Sequence, residues 1–354
     1  MKTTARNEVG EERSIVIVGA GGIVHDAHLP AYRKAGFYVA GIYDRSRDRA
    51  ERLAGQFQIP QVYSTLEEAL AQPAGRTVFD IALPAGAFVD VLSAIEYGSA
   101  VLLQKPMGQS IQEAAAIRDL SHARRLTLAV NFQLRFAPAV ARARQLIEQG
   151  FIGELHDMEV RVSVFTPWHL WTFLEALPRV EILYHSIHYI DLIRSFLGDP
   201  AGVYARTVKH PAAMKLASTR SNIILNYGDN VRANISTNHG HDFGLEHQES
   251  YVKWEGTKGA IRVRLGILLD YPKGQPDLLE CVQTDSENPR WRVLEPEGNW
   301  FPDAFIGSMG SLMSYLNGSS DQLPTSVDDA YKTMAVVEAA YESDASGGTK
   351  VRYE

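Results

Sequence analysis

Short apolar, β-branched runs alternate with stretches of helical spacing in the first part of the chain, from Ser14 onward. This alternation is typical of a parallel sheet whose strands are connected by helices. The predicted strands are Ile15–Val18, Tyr38–Tyr43, Val78–Leu83, Ala100–Leu103 and Leu126–Val130. The predicted helices are Ile23–Ala35, Arg47–Gln56, Leu66–Ala71, Phe88–Tyr97, Ile111–Ala123 and Ala137–Gln149. Their order predicts an α/β domain with a doubly wound parallel sheet.

The pattern changes after Gly150, where a strand-like segment, Leu155–Phe165, precedes one long helical stretch, Glu181–Leu197. Several strands then follow without helices between them: Val203–Val208, Ser221–Asn226, Val231–Thr237, Ser250–Trp254 and Ala260–Arg264. Consecutive strands of this kind favour a mostly antiparallel open sheet, so the second domain is predicted to be α+β.

The end of the chain has helical spacing over Val327–Tyr341 and then a short strand-like piece, Lys350–Arg352. We expect the helix to return to the first domain. The predicted division is a first domain over residues 1–131 and a second domain, for substrate binding and oligomerisation, over residues 132–354.

A glycine-rich turn directly follows the first predicted strand. Gly19 would make the tight turn, and Gly21 would let a pyrophosphate approach the helix N-terminus, whose free N–H groups and dipole attract an anion. The third glycine of this fingerprint is replaced by Val24, although Gly22 lies nearby. The turn predicts a Rossmann domain that binds a dinucleotide.

Asp44 ends the second strand, where a carboxylate accepts hydrogen bonds from ribose hydroxyls and repels a 2′-phosphate. NAD is therefore the predicted cofactor, and the neighbouring Arg45 leaves NADP open, since a guanidinium can bind that phosphate. The residues predicted to contact the cofactor are Gly19, Gly21, Gly22, Ile23, Asp44, Arg45, Leu83, Pro84, Gln104 and Lys105.

Lys105 follows another predicted strand, at the edge of the sheet where open α/β folds bind ligands. It could hold a substrate hydroxyl and stabilise alkoxide charge. The long helix of the second domain supplies a second polar group: Glu181, Tyr184, His188 and Asp191 are spaced to share one face, with His185 beside it. His188 suits general-base work, because its ordinary pKa near ~6.5 allows it to accept a hydroxyl proton. The spacing of Glu181, His185 and His188 is also compatible with a metal, but no metal site is predicted because no further strong ligand follows.

Aromatic residues cluster in the segment VFTPWHLWTF. Trp168 and Trp171 could stack on a sugar ring while His169 bonds its hydroxyls, although core packing would also explain the two tryptophans. Arg135 and Arg161 are predicted anion contacts. Asn238, His239 and His241, on a loop after a strand, are ranked below Trp168 and His169 as substrate contacts.

Charge, cysteine content and hydropathy indicate which partners and which compartment to expect. The net charge is −7, from 35 basic and 42 acidic residues spread along the chain. Nucleic acid is an unexpected partner, since it requires a concentrated basic surface. The single cysteine, Cys281, is expected to be buried and inert in a reducing compartment. The first dozen residues lack a signal-peptide core and no run is long enough to span a membrane, so we expect a cytoplasmic protein without a membrane partner.

Taken in chain order, the glycine turn, Asp44, Lys105-Pro106 and the histidine helix make the sequence resemble the Gfo/Idh/MocA oxidoreductase family. Further matching segments are HLPAY from His28, NFQLRFAP with Asn131 and Arg135, HYIDLIRSFLG from His188, WEGTKGAIRV from Trp254, and TSVDDAYKTMAVVEAAYES. The resemblance implies NAD(P)-linked oxidation of a sugar, cyclitol or related polyol, a homodimer or homotetramer built partly through the second sheet, and a catalytic role for Lys105.

Two positions depart from the family pattern, and each loses a carboxylate. Gln104 stands where relatives carry Glu before Lys-Pro, and Tyr184 stands where they carry Asp four residues before the catalytic His. Fewer anionic neighbours should lower the pKa of Lys105. Tyr184 can still hydrogen-bond a substrate hydroxyl or His188, so the predicted catalytic residues are Lys105, His188 and Tyr184.

Three functions stay open from the sequence. The first is a dehydrogenase that oxidises a polyol hydroxyl or reduces the ketone. The second is a redox-neutral enzyme in which bound NAD transiently oxidises a sugar to assist elimination or glycosidic cleavage. The third is a dinucleotide-responsive regulator without catalysis. The residues predicted to bind substrate are Lys105, Arg135, Arg161, Trp168, His169, Tyr184, His185 and His188.

Overall fold

Six parallel strands form the first sheet in the computed structural model, which describes residues 13–353. They are β1 (Ser14–Val18), β2 (Val39–Tyr43), β3 (Gln61–Val62), β4 (Thr77–Ile81), β5 (Ala100–Leu103) and β6 (Thr127–Val130). The spatial order is β3-β2-β1-β4-β5-β6, so the direction of winding reverses beside β1. Such a reversal opens a crevice at the carboxyl ends of the strands, where Rossmann folds bind ligands. The predicted Rossmann sheet is confirmed.

The helices that cover this sheet are α1 (Leu29–Ala35), α2 (Arg47–Phe57), α3 (Leu66–Leu70), α4 (Phe88–Ala94), α5 (Ile111–Ala123) and α6 (Pro138–Glu148). Local chemistry sets several of their ends. Thr65 and Ser110 each accept a hydrogen bond from the backbone N–H three residues on, which satisfies a free donor in the first turn. A π-helical turn, Val24–His28, leads into α1 from the glycine turn.

Eight strands form the second sheet: β7 (Leu155–Ser163), β8 (Gly202–Val208), β9 (Arg220–Asn226), β10 (Arg232–Asn238), β11 (Glu249–Gly256), β12 (Gly259–Arg264), β13 (Leu278–Gln283) and β14 (Arg292–Leu294). Their order is β14-β13-β12-β11-β7-β10-β9-β8, and only β7 and β10 pair in parallel among the described strands of this sheet. The predicted, mostly antiparallel sheet is therefore confirmed. Met158, Val160 and Val162 of β7 are buried in the core, as is Cys281 of β13, while Arg161 lies on the opposite, open face.

Three helices complete the fold: α7 (Ile187–Leu197), α8 (Asp303–Leu316) and α9 (Val327–Ser346). Helix α9 contacts β8, α5 and α7, so it touches elements of both parts of the chain. Helix α8 packs on α1 and on the π-helical turn before it. The helix nearest the cofactor loop is thus covered by residues far away in sequence.

A buried hydrogen-bonded group explains the HLPAY segment. The imidazole of His28 lies 2.7 Å from the carboxylate of Asp80 on β4, and the Tyr32 hydroxyl donates to the same carboxylate at 2.8 Å. Phe305 of α8 packs on His28, with the ring centroids 5.0 Å apart. These contacts join α1, the first sheet and α8.

Several predicted elements differ from the structure. The strand predicted at Lys350–Arg352 is wrong, because those residues form no strand. The prediction also missed β3, β13, β14 and α8. Helix α8 was missed because Gly307 and Gly310 lower the helical propensity of its sequence. Gly307 has a packing reason to be there, since a Cβ would lie 2.5 Å from the Cβ of Phe136.

No helix within residues 13–353 is both long enough and apolar enough to cross a membrane. The prediction that no signal-peptide core is present concerns residues 1–12, which lie outside the described residues.

The contact of α8 with the first domain predicts the effect of Phe305→Ala. Phe305 is 1% exposed, and truncating a buried aromatic ring costs about 3–5 kcal/mol. We expect urea titration followed by circular dichroism to show a lower midpoint. Tyr315→Ala, on the same helix but at a position 39% exposed, is the control and should cost less than about 1 kcal/mol. Equal losses in the two variants would contradict the packing role of Phe305.

Candidate active site

The glycine turn after β1 has one position that requires glycine and one that leaves space. Gly19 has a φ of +114°, and a Cβ there would lie 2.4 Å from the carbonyl oxygen of Ala82. At Gly21, no atom lies within 4 Å of the place that a Cβ would take. The first glycine is needed for the fold, whereas the second leaves an open approach to the backbone, as a bound pyrophosphate requires. Gly22 is exposed and Ile23 half-buried beside this opening.

Asp44 lies at the carboxyl end of β2, beside the glycine turn. Its carboxylate accepts hydrogen bonds from the backbone N–H groups of Ala20 and Ser46, both at 2.7 Å, and from the Arg49 guanidinium at 2.8 Å. Partial burial raises the pKa of Asp44, but these three donors outweigh it and the net pKa is lowered. The loop therefore carries a fixed carboxylate where a ribose would bind.

Arg45 is exposed, and the contact to Asp44 comes from Arg49 instead. Sequence reasoning missed Arg49, although its place in the first turn of α2 was a usable signal. Leu83 is half-buried and Pro84 exposed just after β4, on the same edge of the sheet. The open glycine backbone and the fixed carboxylate together fit a dinucleotide.

Lys105 follows β5 and crosses to the second domain. Its Nζ donates a 2.7 Å hydrogen bond to the backbone carbonyl of Tyr184. Burial lowers the pKa of Lys105 to about 7, because the ammonium loses its hydration without gaining a carboxylate partner. The preceding Gln104 has a buried side-chain oxygen with no hydrogen-bond partner among the described residues. The low pKa predicted from the two missing carboxylates agrees with this environment.

The histidine helix begins with a π-helical turn, Ile182–Ser186, and continues as α7. Such turns are rare and are frequent at functional sites. His188 follows the turn and is almost fully buried; burial, then the charge of Lys105, holds the pKa of His188 well below its usual range. Its Nδ1 has no partner among the described residues, and the ring of Trp300 lies edge-on to it, with the centroids 5.8 Å apart. His188 is therefore a neutral imidazole next to Lys105.

Tyr184 contributes its backbone to the site rather than its hydroxyl. The carbonyl binds Lys105, while the hydroxyl forms no hydrogen bond with any residue that the structure describes. The ring lies 6.1 Å from that of Phe173, and burial, with the charge of Glu113, raises the pKa of Tyr184 to about 12. The π-helical turn changes the register of the helix. The spacing of Glu181, Tyr184 and His188 by three and four residues therefore does not produce one common polar face.

Two further imidazoles, those of His185 and His239, form a pair in the second domain. The ring centroids of His185 and His239 are 4.5 Å apart. The ring of Trp168 contacts both, with its centroid 5.1 Å from that of His185 and 5.5 Å from that of His239. His239 is buried; the sequence-based prediction ranked it below Trp168 and His169 as a substrate contact. The parallel pairing of β10 with β7 brings the residue after Asn238 against the segment after Ser163. No local pattern in the sequence predicts that pairing.

Both arginines predicted as anion contacts form ion pairs with carboxylates of this chain. The Arg135 guanidinium donates to both oxygens of Asp191, at 2.6 Å each, and to Asp329 at 2.5 Å. Arg161 lies on the open face of the second sheet and pairs with Glu249. The structure thus pairs both guanidiniums with carboxylates, which leaves them poorly suited to bind an anion.

The other residues predicted near the substrate have different surroundings. His169 is exposed, and Trp171 contacts the ring of Tyr271 at 5.3 Å. The side chain of Asn238 accepts a hydrogen bond from the N–H of Gly240, while His241 has a buried, unpaired Nε2. Within residues 13–353, no group of three or more His, Cys, Asp or Glu side chains is arranged to hold a metal ion.

Two family models match this chain. One, described as an oxidoreductase family with an NAD-binding Rossmann fold, matches residues 13–132, and the Gfo/Idh/MocA C-terminal domain matches residues 140–262. The chain belongs to the Gfo/Idh/MocA family of oxidoreductases. It is thus an NAD(P)-dependent oxidoreductase, and the predicted family and cofactor class are confirmed.

Similar Gfo/Idh/MocA proteins include the D-apiose dehydrogenase of Rhizobium rhizogenes, which is 27% identical over 88% of this chain and 89% of the relative. The 1,5-anhydro-D-fructose reductase of Ensifer adhaerens is 24% identical over 93% of this chain and 97% of its own length. An oxidoreductase from Agrobacterium radiobacter, solved with NAD+, L-tartaric acid and magnesium, superposes with a TM-score of 0.80 at 22% identity. That superposition covers 95% of this chain and 97% of the other, and it shows a common fold.

The two glycines of the turn should behave differently when each is replaced by alanine. Gly19→Ala should lower the free energy of unfolding by about 1–3 kcal/mol, because of its positive φ and its contact with Ala82. Gly21→Ala should leave the melting temperature unchanged but weaken NADH binding roughly tenfold or more, since the methyl group occupies the phosphate approach. Thermal melting and NADH fluorescence titration measure the two effects. Normal NADH binding by Gly21→Ala would contradict the role of this position.

Proposed function

We propose that this Gfo/Idh/MocA protein oxidises a hydroxyl group of a sugar, cyclitol or related polyol, or reduces the corresponding ketone, with NAD preferred over NADP. The observation that supports this most is that Lys105, just after β5, binds the backbone carbonyl of Tyr184, four residues before His188 on the histidine helix. The names of the relatives, D-apiose dehydrogenase and 1,5-anhydro-D-fructose reductase, favour a carbohydrate substrate. The fixed Asp44 carboxylate favours a cofactor without a 2′-phosphate.

Gly19, Gly21 and Asp44 would hold the dinucleotide, whose nicotinamide ring accepts or donates the hydride when bound. A substrate hydroxyl would lie between Lys105 and His188. Oxidation also releases the hydroxyl proton, so the site needs a base that can hold it. The relative proton affinities of the two residues decide which one serves.

The sequence-based prediction assigned proton removal to His188, but burial changes this assignment. The pKa of His188 lies well below its usual range, whereas that of Lys105 is about 7. A catalytic base works best with a pKa near the working pH. We therefore assign removal of the hydroxyl proton to neutral Lys105. His188 would orient the hydroxyl through a hydrogen bond.

This assignment predicts the pH dependence of oxidation. Below pH 7 Lys105 is protonated and cannot accept the hydroxyl proton, so kcat/KM should rise with pH and level off above about 7. Gln104→Glu places a carboxylate next to Lys105, favours the ammonium and should move the inflection to higher pH. Gln104→Asn is the neutral control. An inflection that stays in place in Gln104→Glu would argue against Lys105 as the titrating group.

Turnover itself is tested with NAD or NADP and a panel of aldoses, cyclitols and polyols, by following the absorbance of the reduced cofactor. Lys105→Ala should lower kcat/KM by roughly 10²–10⁴-fold while leaving NADH binding intact, the range typical of a lost general base. Lys258→Ala, at an exposed position, is the control. Cofactor binding without reduction by any polyol would count against a dehydrogenase.

The loss of both family carboxylates, at Gln104 and Tyr184, favours a second candidate function. In this redox-neutral reaction the sugar is oxidised only transiently, to assist elimination or glycosidic cleavage. Product would then form without net reduced cofactor, which chromatography of the same incubations would detect. A regulator without catalysis is disfavoured by the presence of both Lys105 and His188. We further propose a cytoplasmic location and a homodimer or homotetramer.

A further inference from the structure

A buried carboxylate, that of Glu181, lies next to the imidazole pair of His185 and His239. The side chain of Glu181 is 0% exposed and lies just before the π-helical turn. Its Oε1 accepts a 2.8 Å hydrogen bond from the Ser186 hydroxyl and lies 3.4 Å from Nε2 of His239. Burial raises the pKa of Glu181, but His239 and the hydroxyls of Ser221 and Ser186 outweigh it, so the net pKa is lowered. Glu181 is a buried, ionised group.

His239 lies between the Glu181 carboxylate and the Thr166 hydroxyl. Its Nδ1 hydrogen-bonds with the Thr166 hydroxyl at 2.9 Å, whereas its Nε2, 3.4 Å from Oε1 of Glu181, is close enough for an ion pair but lacks hydrogen-bond geometry. His239 is almost completely buried, so its ring has no alternative partner in solvent. Carboxylate, imidazole and hydroxyl thus form one chain of contacts that holds the His239 ring from both sides.

His185 is the residue that this chain supports. Its ring packs against His239 at an interplanar angle of 53° and against the edge of Trp168 at 79°. His185 is half-buried, and neither of its ring nitrogens hydrogen-bonds to a described residue. The carbonyl of the preceding residue, Tyr184, binds the Lys105 amine, which places His185 beside the same amine. Burial, then His239 and Lys105, lowers the pKa of His185.

A purely structural role explains these contacts poorly. Glu181 Oε2 and Trp168 Nε1 are buried without partners among the described residues. A buried charge with an unsatisfied oxygen is costly, and a well-packed apolar group of similar volume is often at least as stable. Such a group is expected where it serves a ligand.

We propose that Glu181 and His239 are positioning residues that hold His185 to bind a second substrate hydroxyl, adjacent to the one that reacts. The site would then select vicinal diols over molecules with a single hydroxyl. This inference rests on the proposed polyol oxidation, whose reacting hydroxyl lies between Lys105 and His188. His185 and His188 both lie within four residues of the Tyr184 carbonyl that binds Lys105, so the two imidazoles would contact neighbouring hydroxyls of one molecule.

The kinetic test compares the best polyol substrate with its analogue lacking the adjacent hydroxyl. Glu181→Gln should raise KM for the diol roughly tenfold, with little change in kcat and no change for the analogue, as expected for the loss of uniform binding. Thr166→Val removes the hydroxyl on the other side of His239 and should have the same effect. This variant replaces Glu181→Gln in the test if Glu181→Gln does not fold. Glu175→Gln, at an exposed position, is the control.

Epistasis separates positioning from a general loss of packing. His185→Phe keeps a ring of similar shape but removes both nitrogens, so it should abolish the preference for the diol. In that background, Glu181→Gln should have no further effect on the ratio of kcat/KM values. Full additivity of the two substitutions, or an unchanged diol preference in folded Glu181→Gln, would overturn the proposal.

Nitrogen NMR of the histidine rings provides a readout that does not need turnover. In the NADH complex, myo-inositol, which has adjacent hydroxyls, should shift the His185 ring resonances in the wild type and not in Glu181→Gln, whereas cyclohexanol, which has a single hydroxyl, should shift them in neither protein. If no polyol is oxidised but this pattern is seen, the proposed reaction fails and the positioning role stands. If myo-inositol and every substrate of the panel leave His185 unshifted, the positioning proposal fails.

Discussion

The hydrogen bond from buried Lys105 to the backbone carbonyl of Tyr184 is the contact on which the site depends. It joins the end of β5 to the π-helical turn of the second domain, and it takes the amine out of water without pairing it to a carboxylate. A cation in such surroundings is destabilised, so its proton becomes easy to remove. The same contact brings two histidines within range of that cation, and their protonated forms are disfavoured as well. The site therefore consists of weakly protonated bases rather than of ion pairs.

The charge balance of the crevice differs from that expected of the family. Gln104 and Tyr184 remove negative charge next to the reacting group, while Glu181 supplies it one layer further away, behind His239. The His239 imidazole separates this carboxylate from Lys105, and the interaction between charges weakens with distance. Glu181 therefore affects the positions of its neighbours more than the protonation of Lys105.

The parts of the site that depend on local sequence could be predicted, and the parts that depend on strand pairing could not. Gly19, Asp44 and Lys105 each follow a buried strand, and the ends of parallel strands meet at one edge. His239 comes into place only through the parallel pairing of β10 with β7, which the sequence does not reveal. Arg135 has the residue type of an anion contact, but its partners come from two distant helices. The fold was predictable in its two sheets, whereas α8 was hidden by glycines, one of which its packing requires.

The packing of Phe305 on His28 has a consequence for how the chain is made. His28 belongs to the first domain and lies at the start of the helix behind the cofactor loop, yet its covering ring comes from residues near the end of the sequence. During synthesis from the N-terminus, the first sheet can form early, but this side of it stays uncovered until α8 emerges. A nascent chain would thus expose an apolar surface next to the nucleotide loop for most of its translation. The helix behind the nucleotide loop is covered only once α8, which begins at Asp303, has been synthesised.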